Sequence, residues 1–252
     1  MPSLASQLKK TLHMGENKAE ASAKLPIPTP VSAATQEPKN PSGSAAFFDA
    51  VENRRSYYGI KAESPLTDEQ LVALVGRAVK HAPNSFNMQQ SRAVVLTGKA
   101  HAELWEKVLE TNLKGLGGDK DQEEQARGRV NGAFKTGYGT VAFFEDMDVV
   151  KAWGEKMPFV AEAFVQWSDV ATGILQYIVW TALEKEGLGA SLQHYAQYSQ
   201  ETQDAITELC KVPAAWRCTA LLPFGVPIGP PGNPAHPKDF QPLEERVKLI
   251  SA

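Results

Sequence analysis

Three well-separated stretches of this 252-residue chain carry side chains suited to holding a ligand. In "RRSYY", Arg54 and Arg55 stand beside the hydroxyl of Ser56. A guanidinium stays charged at any physiological pH and grips phosphate oxygens in pairs, so this is a phosphate-binding composition. "HAPNSFNMQQSR" holds Asn84, Asn87, Gln89 and Gln90 in one short loop. Side-chain amides donate and accept in one plane, which suits the edge of a flat, polar ring. "EGLGASLQHY" brings Gly187, Leu188 and Gly189, a loop where backbone can approach a ligand closely.

Taken together the three stretches suit flavin mononucleotide. Its pyrimidine edge alternates carbonyl acceptors with an N–H donor, its phosphate suits arginine, and a backbone N–H can meet its ring nitrogen N5. The same residues also admit a plainer reading. Paired arginines form solvated faces, and amide-rich turns stop helices through Asx-type bonds.

Composition excludes several other classes. Net charge is −3, with 42% hydrophobic and 22% charged residues, which leaves no basic footprint for nucleic acid. Cys210 and Cys218 are too few for a disulfide framework and read as small buried hydrophobes in a reducing compartment. His13, His81, His101, His194 and His236 are scattered without metal-ligand spacing, so no metal site is expected. There is no phosphate loop of the GxxxxGK type and no GxSxG nucleophile elbow. Gly187-Leu188-Gly189 opens like a dinucleotide fingerprint, but Leu192 stands where its third glycine belongs.

The elements that must position these stretches are partly visible. Residues 1–45 are rich in Pro, Ser, Ala and Thr and read as a disordered or targeting extension, and the folded part is expected from Ala46 to the end of the chain. Leu4, Leu8 and Leu12 form a short stripe compatible with a transit peptide. "AFFDAVENRRS" reads as a short amphipathic helix ending in its two arginines. Thr67 and Gln70 form a capping box ahead of the apolar face Leu71, Leu74, Val75 and Ala78, and Pro83 closes that helix. "RAVVLTG", "GTVAFFED", "LGASLQHY" and "CTALLPFG" read as strands, with a helix around "AELWEKVLETNLK". "GLGGDKDQEEQARGRVNGAF" reads as a polar, flexible segment. "VQWSDVATGILQYIVWTALEKEG" is too short to cross a bilayer but apolar around nearly its whole circumference. It therefore needs cover from a large core or a second subunit. The proline-dense end reads as an extended arm. Strands and helices alternate irregularly, which indicates α+β.

The clusters, in order, resemble the flavin-dependent nitroreductase family, and within it the fungal and bacterial subgroup named after fatty-acid repression mutants. The likeness runs from Ala46 to Ile250 and rests on "RRSYYGI", "HAPNSFNMQ", "YGTVAFFED", "WTALEKEGLGASLQHY", "LPFG" and "PLEERVK". It implies an α+β sandwich with a mainly antiparallel central sheet flanked by helices, paired into a homodimer with FMN at the interface. It implies that Arg54, Arg55 and Ser56 hold the phosphate or pyrimidine edge, and that Asn87 and Gln89 bond the ring. By the same likeness Gly187 gives its N–H to N5, Leu188 and Gly189 shape that loop, and Lys238 reaches the phosphate. His194 and Tyr195 belong to a subgroup marker without an assigned role. Two positions depart from the common pattern: Tyr57 and Tyr58 replace a further basic residue, and Gln90 and Ser91 replace Pro-Trp.

The activity implied is ping-pong hydride transfer through flavin N5, from NADH or NADPH to a nitroaromatic or quinone-type acceptor. No side chain need act as a catalytic group, because the cofactor carries the chemistry. A rival reading is a flavin-binding redox or lipid-response regulator with incidental reductase activity, and a third is a cofactor-free globular protein. The expected location is cytoplasmic, or mitochondrial if the leading segment is a transit peptide, with no membrane span.

Overall fold

The computed structural model describes residues 42–235 and 237–251. The expectations for the first 41 residues, and His236, lie outside them. Regular structure starts with a short turn at Ser42–Ser44 and helix α1 (Ala45–Asn53), which stops just before Arg54 rather than after Arg55.

The named strands all pair antiparallel. Strand β1 (Ile60–Lys61) borders β5 (Trp216–Pro227), then come β3 (Gly139–Asp146) and β2 (Ser91–Thr97), while β4 (Gly189–Ala190) also pairs with β5. Helices cover both faces, so β3 is buried along almost its whole length. Val141 and Phe143 face one layer, with Leu71, Val75 and Ala78 of α2 (Asp68–His81) and Leu175, Val179 and Leu183 of a long helix described below. Ala142 and Phe144 face the other, with Leu104, Trp105 and Val108 of α3 (Gly98–Gly115). A bulge sits where Phe143 pairs with Ala220 but Phe144 pairs with Cys218. Skipping Thr219 shifts the side-chain alternation by one and puts Cys218 on the same face as Leu221. Burial raises both cysteine thiols, Cys210 to about 12, which leaves them unreactive at neutral pH.

Helix α2 carries the expected capping box, with Gln70 N–H donating to Thr67 Oγ1 and Thr67 N–H to Gln70 Oε1. The segment expected to be flexible is instead ordered as α4 (Lys120–Arg129), capped by Asp119, and a π turn at Val130–Phe134. Ala126, Val130 and Phe134, each four residues apart, pin it to the core with one apolar side chain per turn. Two further helices carry N-caps that the sequence reading passed over: α5 (Met147–Lys156) after Asp146, and, later in the chain, Gln200–Cys210 after Ser199. The long helix, α6 (Ala161–Lys185), buries Phe164, Ala171, Leu175, Val179 and Leu183 on one stripe. Val170, at 64% exposure, and Ile174, at 36%, remain uncovered within the single chain. Helix α7 (Gln200–Cys210) packs against α3. Of "LGASLQHY", two residues join the sheet as β4 and Gln193 forms a lone bridge to Leu221. Beyond β5 the described residues run through bends and turns, are mostly exposed, and include one helical turn at Leu243–Glu245. No helix among the described residues is long and apolar enough to cross a membrane.

His101 is buried between Thr140 Oγ1 (2.8 Å) and Lys135 O (3.3 Å), and burial lowers its pKa to about 4. In the unfolded chain it titrates near 6.5, so below that pH the unfolded state binds the extra proton. Stability contributed by the neutral ring is complete above pH 6.5 and drains away as pH falls towards 4. Urea unfolding of the wild type at pH 7.5 and pH 4.5 is expected to differ by about 2–3 kcal/mol more than in His101→Gln. An equal pH dependence in both proteins would refute this assignment.

Candidate functional site

The first half of the site forms where the segment after α1 runs beside β4. Ser56 bridges Ala190, and Tyr57 N–H donates to Ala190 O at 2.9 Å. Gly189 lets the two backbones meet: a Cβ there would lie 2.8 Å from Tyr57 Cβ. Arg55 N–H donates to Glu184 Oε2 at 2.8 Å. Burial pushes the Glu184 carboxyl up, while that N–H and the two arginine charges pull it back. The Arg54 guanidinium lies over the Trp180 ring, 4.2 Å from its centroid, and its Nη1 is buried without a partner among the described residues. Gly232 N–H donates to Ser56 O at 2.7 Å, which brings the origin of the C-terminal arm to the same place.

Gly187 and Lys238 have contacts of their own here. Gly187, at φ +82°, donates its N–H to Glu184 O (3.0 Å), and Leu188 donates to Leu183 O (2.9 Å). These bonds close the C-terminus of α6. Leu188 is 1% exposed and packs in the sheet core, shaping the loop from behind. Lys238 is exposed, with its ammonium 5.0 Å from the Phe240 ring centroid.

The second half is the amide loop. Phe86, Asn87 and Gln89 all hold φ between 53° and 55°, a strained setting for residues with side chains. The loop is kept there by Asn84 Oδ1, which accepts from Gln89 N–H at 3.0 Å, and by the Phe86 ring. That ring packs 5.7 Å from Trp153, 5.8 Å from Phe164 and 5.9 Å from Trp167. The strain leaves Asn87 and Gln89 exposed, with side-chain amides that bond no described residue. Gln90 next to them is fully buried, and neither of its amide atoms has a partner among the described residues.

The two halves sit at opposite ends of α6, one on Phe164 and Trp167, the other on Trp180 and Glu184. At 1.5 Å per residue that is a separation of roughly 20–25 Å. A single chain therefore brings Arg54, Arg55 and Ser56 to Gly187–Gly189, but does not bring Asn87 and Gln89 to them. Sequence reasoning also missed Trp180 and Glu184. Their signal lay in "WTALEKEG", where four-residue spacing puts both on one helix face.

The sequence matches the Nitroreductase family over residues 51–226. HBN1 of Saccharomyces cerevisiae, named as a nitroreductase, is 32% identical over 200 residues, covering 79% of this chain and 96% of that protein. The nitroreductase CinD of Lactococcus lactis, solved with nicotinic acid, superposes with a TM-score of 0.70 at 33% identity, covering 81% of this chain and all of CinD. A nitroreductase from Exiguobacterium sibiricum, solved with FMN, shares the fold at 16% identity, with a TM-score of 0.57, 81% of this chain and 97% of that chain. The chain belongs to the nitroreductase family, and its antiparallel sheet flanked by helices is the nitroreductase-like α+β fold.

Proposed function

We propose that the protein is an FMN-dependent oxidoreductase that takes electrons from NADH or NADPH and reduces small aromatic or quinone-type acceptors. The observation carrying this reading is the Arg54 guanidinium, held on Trp180 with Nη1 buried and unpartnered. Leaving such a donor unmet costs about 1–3 kcal/mol, so an anion belongs in the structure beside it. A flavin phosphate is such an anion, with Arg55 and Ser56 on the same segment. Asn87 and Gln89 would bond the polar edge of the ring, and Lys238 would come to the phosphate by movement of the arm. Bound flavin supplies two-electron chemistry, and the protein supplies binding, orientation and charge. CinD, solved with nicotinic acid and with 4-nitrophenol, accommodates ligands of the size and flatness this reading requires.

A whole site needs two chains. In a twofold pair with antiparallel α6 helices, the amide loop of one chain meets the Arg54 end of the other. Val170 and Ile174, uncovered on α6, and Phe240, Leu243 and Val247 of the arm supply the apolar surface for such a homodimer. The test is complementation, read as visible flavin absorbance. Arg54→Ala alone should weaken flavin retention about 10- to 100-fold, the loss of one charged hydrogen-bonding group. Asn87→Ala should weaken it as well. Mixing the two variants with subunit exchange should restore about a quarter of the sites, since each mixed dimer rebuilds one. No recovery on mixing places the site within one chain, and full flavin content in Arg54→Ala refutes the phosphate assignment.

A further inference from the structure

At Gln89 both backbone polar groups of the amide loop are held by side chains. The N–H donates to Asn84 Oδ1, and the carbonyl accepts from Arg92 Nη1. The same Nη1 reaches Ser91 O at 3.1 Å, while Nη2 pairs with Asp146 Oδ2 at 3.0 Å. A planar guanidinium can serve two carbonyls and a carboxylate at once, whereas an ammonium is a single point charge. The Arg92 guanidinium also lies 5.5 Å from the centroid of the Trp216 ring, which limits how far it can swing. Asp146 is fixed in turn. Its N–H donates to Gln90 O at 2.9 Å, and its Oδ1 accepts from Val149 N–H at 3.4 Å, capping α5. The consecutive carbonyls of Gln89, Gln90 and Ser91 therefore all end on Arg92 or Asp146.

Helix α5 closes the circuit. It carries Trp153, whose ring stacks on Phe86 at the other end of the loop. The loop is thus gripped from Gln89 through Arg92 and Asp146, and from Phe86 through Trp153, with α5 behind both. Phe86, Asn87 and Gln89 sit there at positive φ without a glycine among them, a conformation that persists only where its surroundings impose it. We infer that Arg92 and Asp146 are positioning residues: they hold the strained turn that presents the Asn87 and Gln89 amides to the flavin ring. Their role toward the ring rests on the flavin reading above, whereas the bracing of the loop does not.

The experiment follows hydrogen exchange over residues 84–91 in flavin-free, full-length protein and, separately, FMN affinity by flavin absorbance. Arg92→Ala and Asp146→Asn should each speed exchange across the loop about tenfold or more. Asparagine keeps an oxygen for the α5 cap but offers Arg92 no carboxylate, so α5 itself should exchange as in the wild type. FMN affinity should fall about tenfold in both variants. Arg92→Lys keeps a charge for Asp146 but cannot also reach the carbonyls, and should fall between Arg92→Ala and the wild type. On a Gln89→Ala background the Arg92→Ala loss should shrink, because one amide it positions is gone; a purely structural defect would leave the two losses multiplying. Should Arg92→Ala fail to fold, Asp146→Asn and Arg92→Lys carry the same test. Wild-type exchange in the loop of both Arg92→Ala and Asp146→Asn overturns the brace. Faster exchange with FMN affinity unchanged, or losses that multiply in full, overturns the positioning role. Wild-type protein that takes up no flavin overturns the flavin reading and the role toward the ring with it, while faster exchange in the variants still supports the brace.

Discussion

Glu145→Leu is expected to lose about 3–5 kcal/mol of stability, the cost of removing one member of a buried ion pair. Glu145 is fully buried, the penultimate residue of β3 just ahead of α5. Its Oε1 accepts from Ser168 (2.8 Å) and Thr172 (2.9 Å), and its Oε2 accepts from Arg217 Nε (3.1 Å) and Nη2. Leucine fills the volume but leaves two buried hydroxyls and a half-buried guanidinium without their acceptor. Asp169, 2.6 Å from Arg217, is exposed and replaces little of what is lost. For a domain of this size the thermal midpoint should fall by roughly 6–20 °C. Glu145→Gln, which keeps the shape and some of the acceptors, should fall between the wild type and leucine. Glu145→Leu combined with Arg217→Met should recover part of the loss, because the stranded charge goes too. A thermal midpoint within a degree or two of wild type in Glu145→Leu would show that the network contributes nothing.

Glu145 also marks what a sequence alone can convey. "GTVAFFED" is legible as a strand from its apolar run, and its central place follows from being buried on both faces. That its glutamate turns inward depends on Ser168 and Thr172, one turn apart on α6, and Arg217 beyond the bulge of β5, all distant in sequence. Elements whose signals are local were readable: the Thr67–Gln70 box sits within four residues. Helix α4 was not, because Ala126 is its one buried residue, so no apolar face recurs along it and only packing onto the core reveals it. The site followed the same division. Arg54, Asn87 and Gly189 were identifiable as residue types, since phosphate, amide edges and close backbone approach each demand particular chemistry. The use of the Gly187 N–H within its own helix end, and the placement of Asn87 a helix length from Arg54, are properties of the folded chain.

Gly189→Ala is expected to lower flavin retention at least tenfold while costing only about 1–3 kcal/mol of stability, the usual range for overpacking. The added methyl would lie 2.8 Å from Tyr57 Cβ and Cγ and 2.9 Å from Pro227 Cγ. Pro227 is fixed in β5 opposite Ile60, so the segment carrying Tyr57 must give way. That segment is tied to β4 only through the Ser56–Ala190 bridge and the Tyr57–Ala190 hydrogen bond, and it continues directly into Arg55 and Arg54. A shift of a few tenths of an ångström at Tyr57 would loosen Arg55 from Glu184 and move the Arg54 guanidinium on Trp180. Gly187→Ala is the internal control. Its φ of +82° makes alanine strained, at about 1 kcal/mol, but no heavy atom lies within 4 Å of the added methyl. It should therefore lose stability and keep most of its flavin. Tyr57→Gly placed on Gly189→Ala should return part of the lost flavin by removing both side-chain carbons that are struck, a coupling readable in a double-mutant cycle. If Gly189→Ala and Gly187→Ala bind flavin equally well, close packing of β4 on the arginine segment is not what sets the phosphate end of the site.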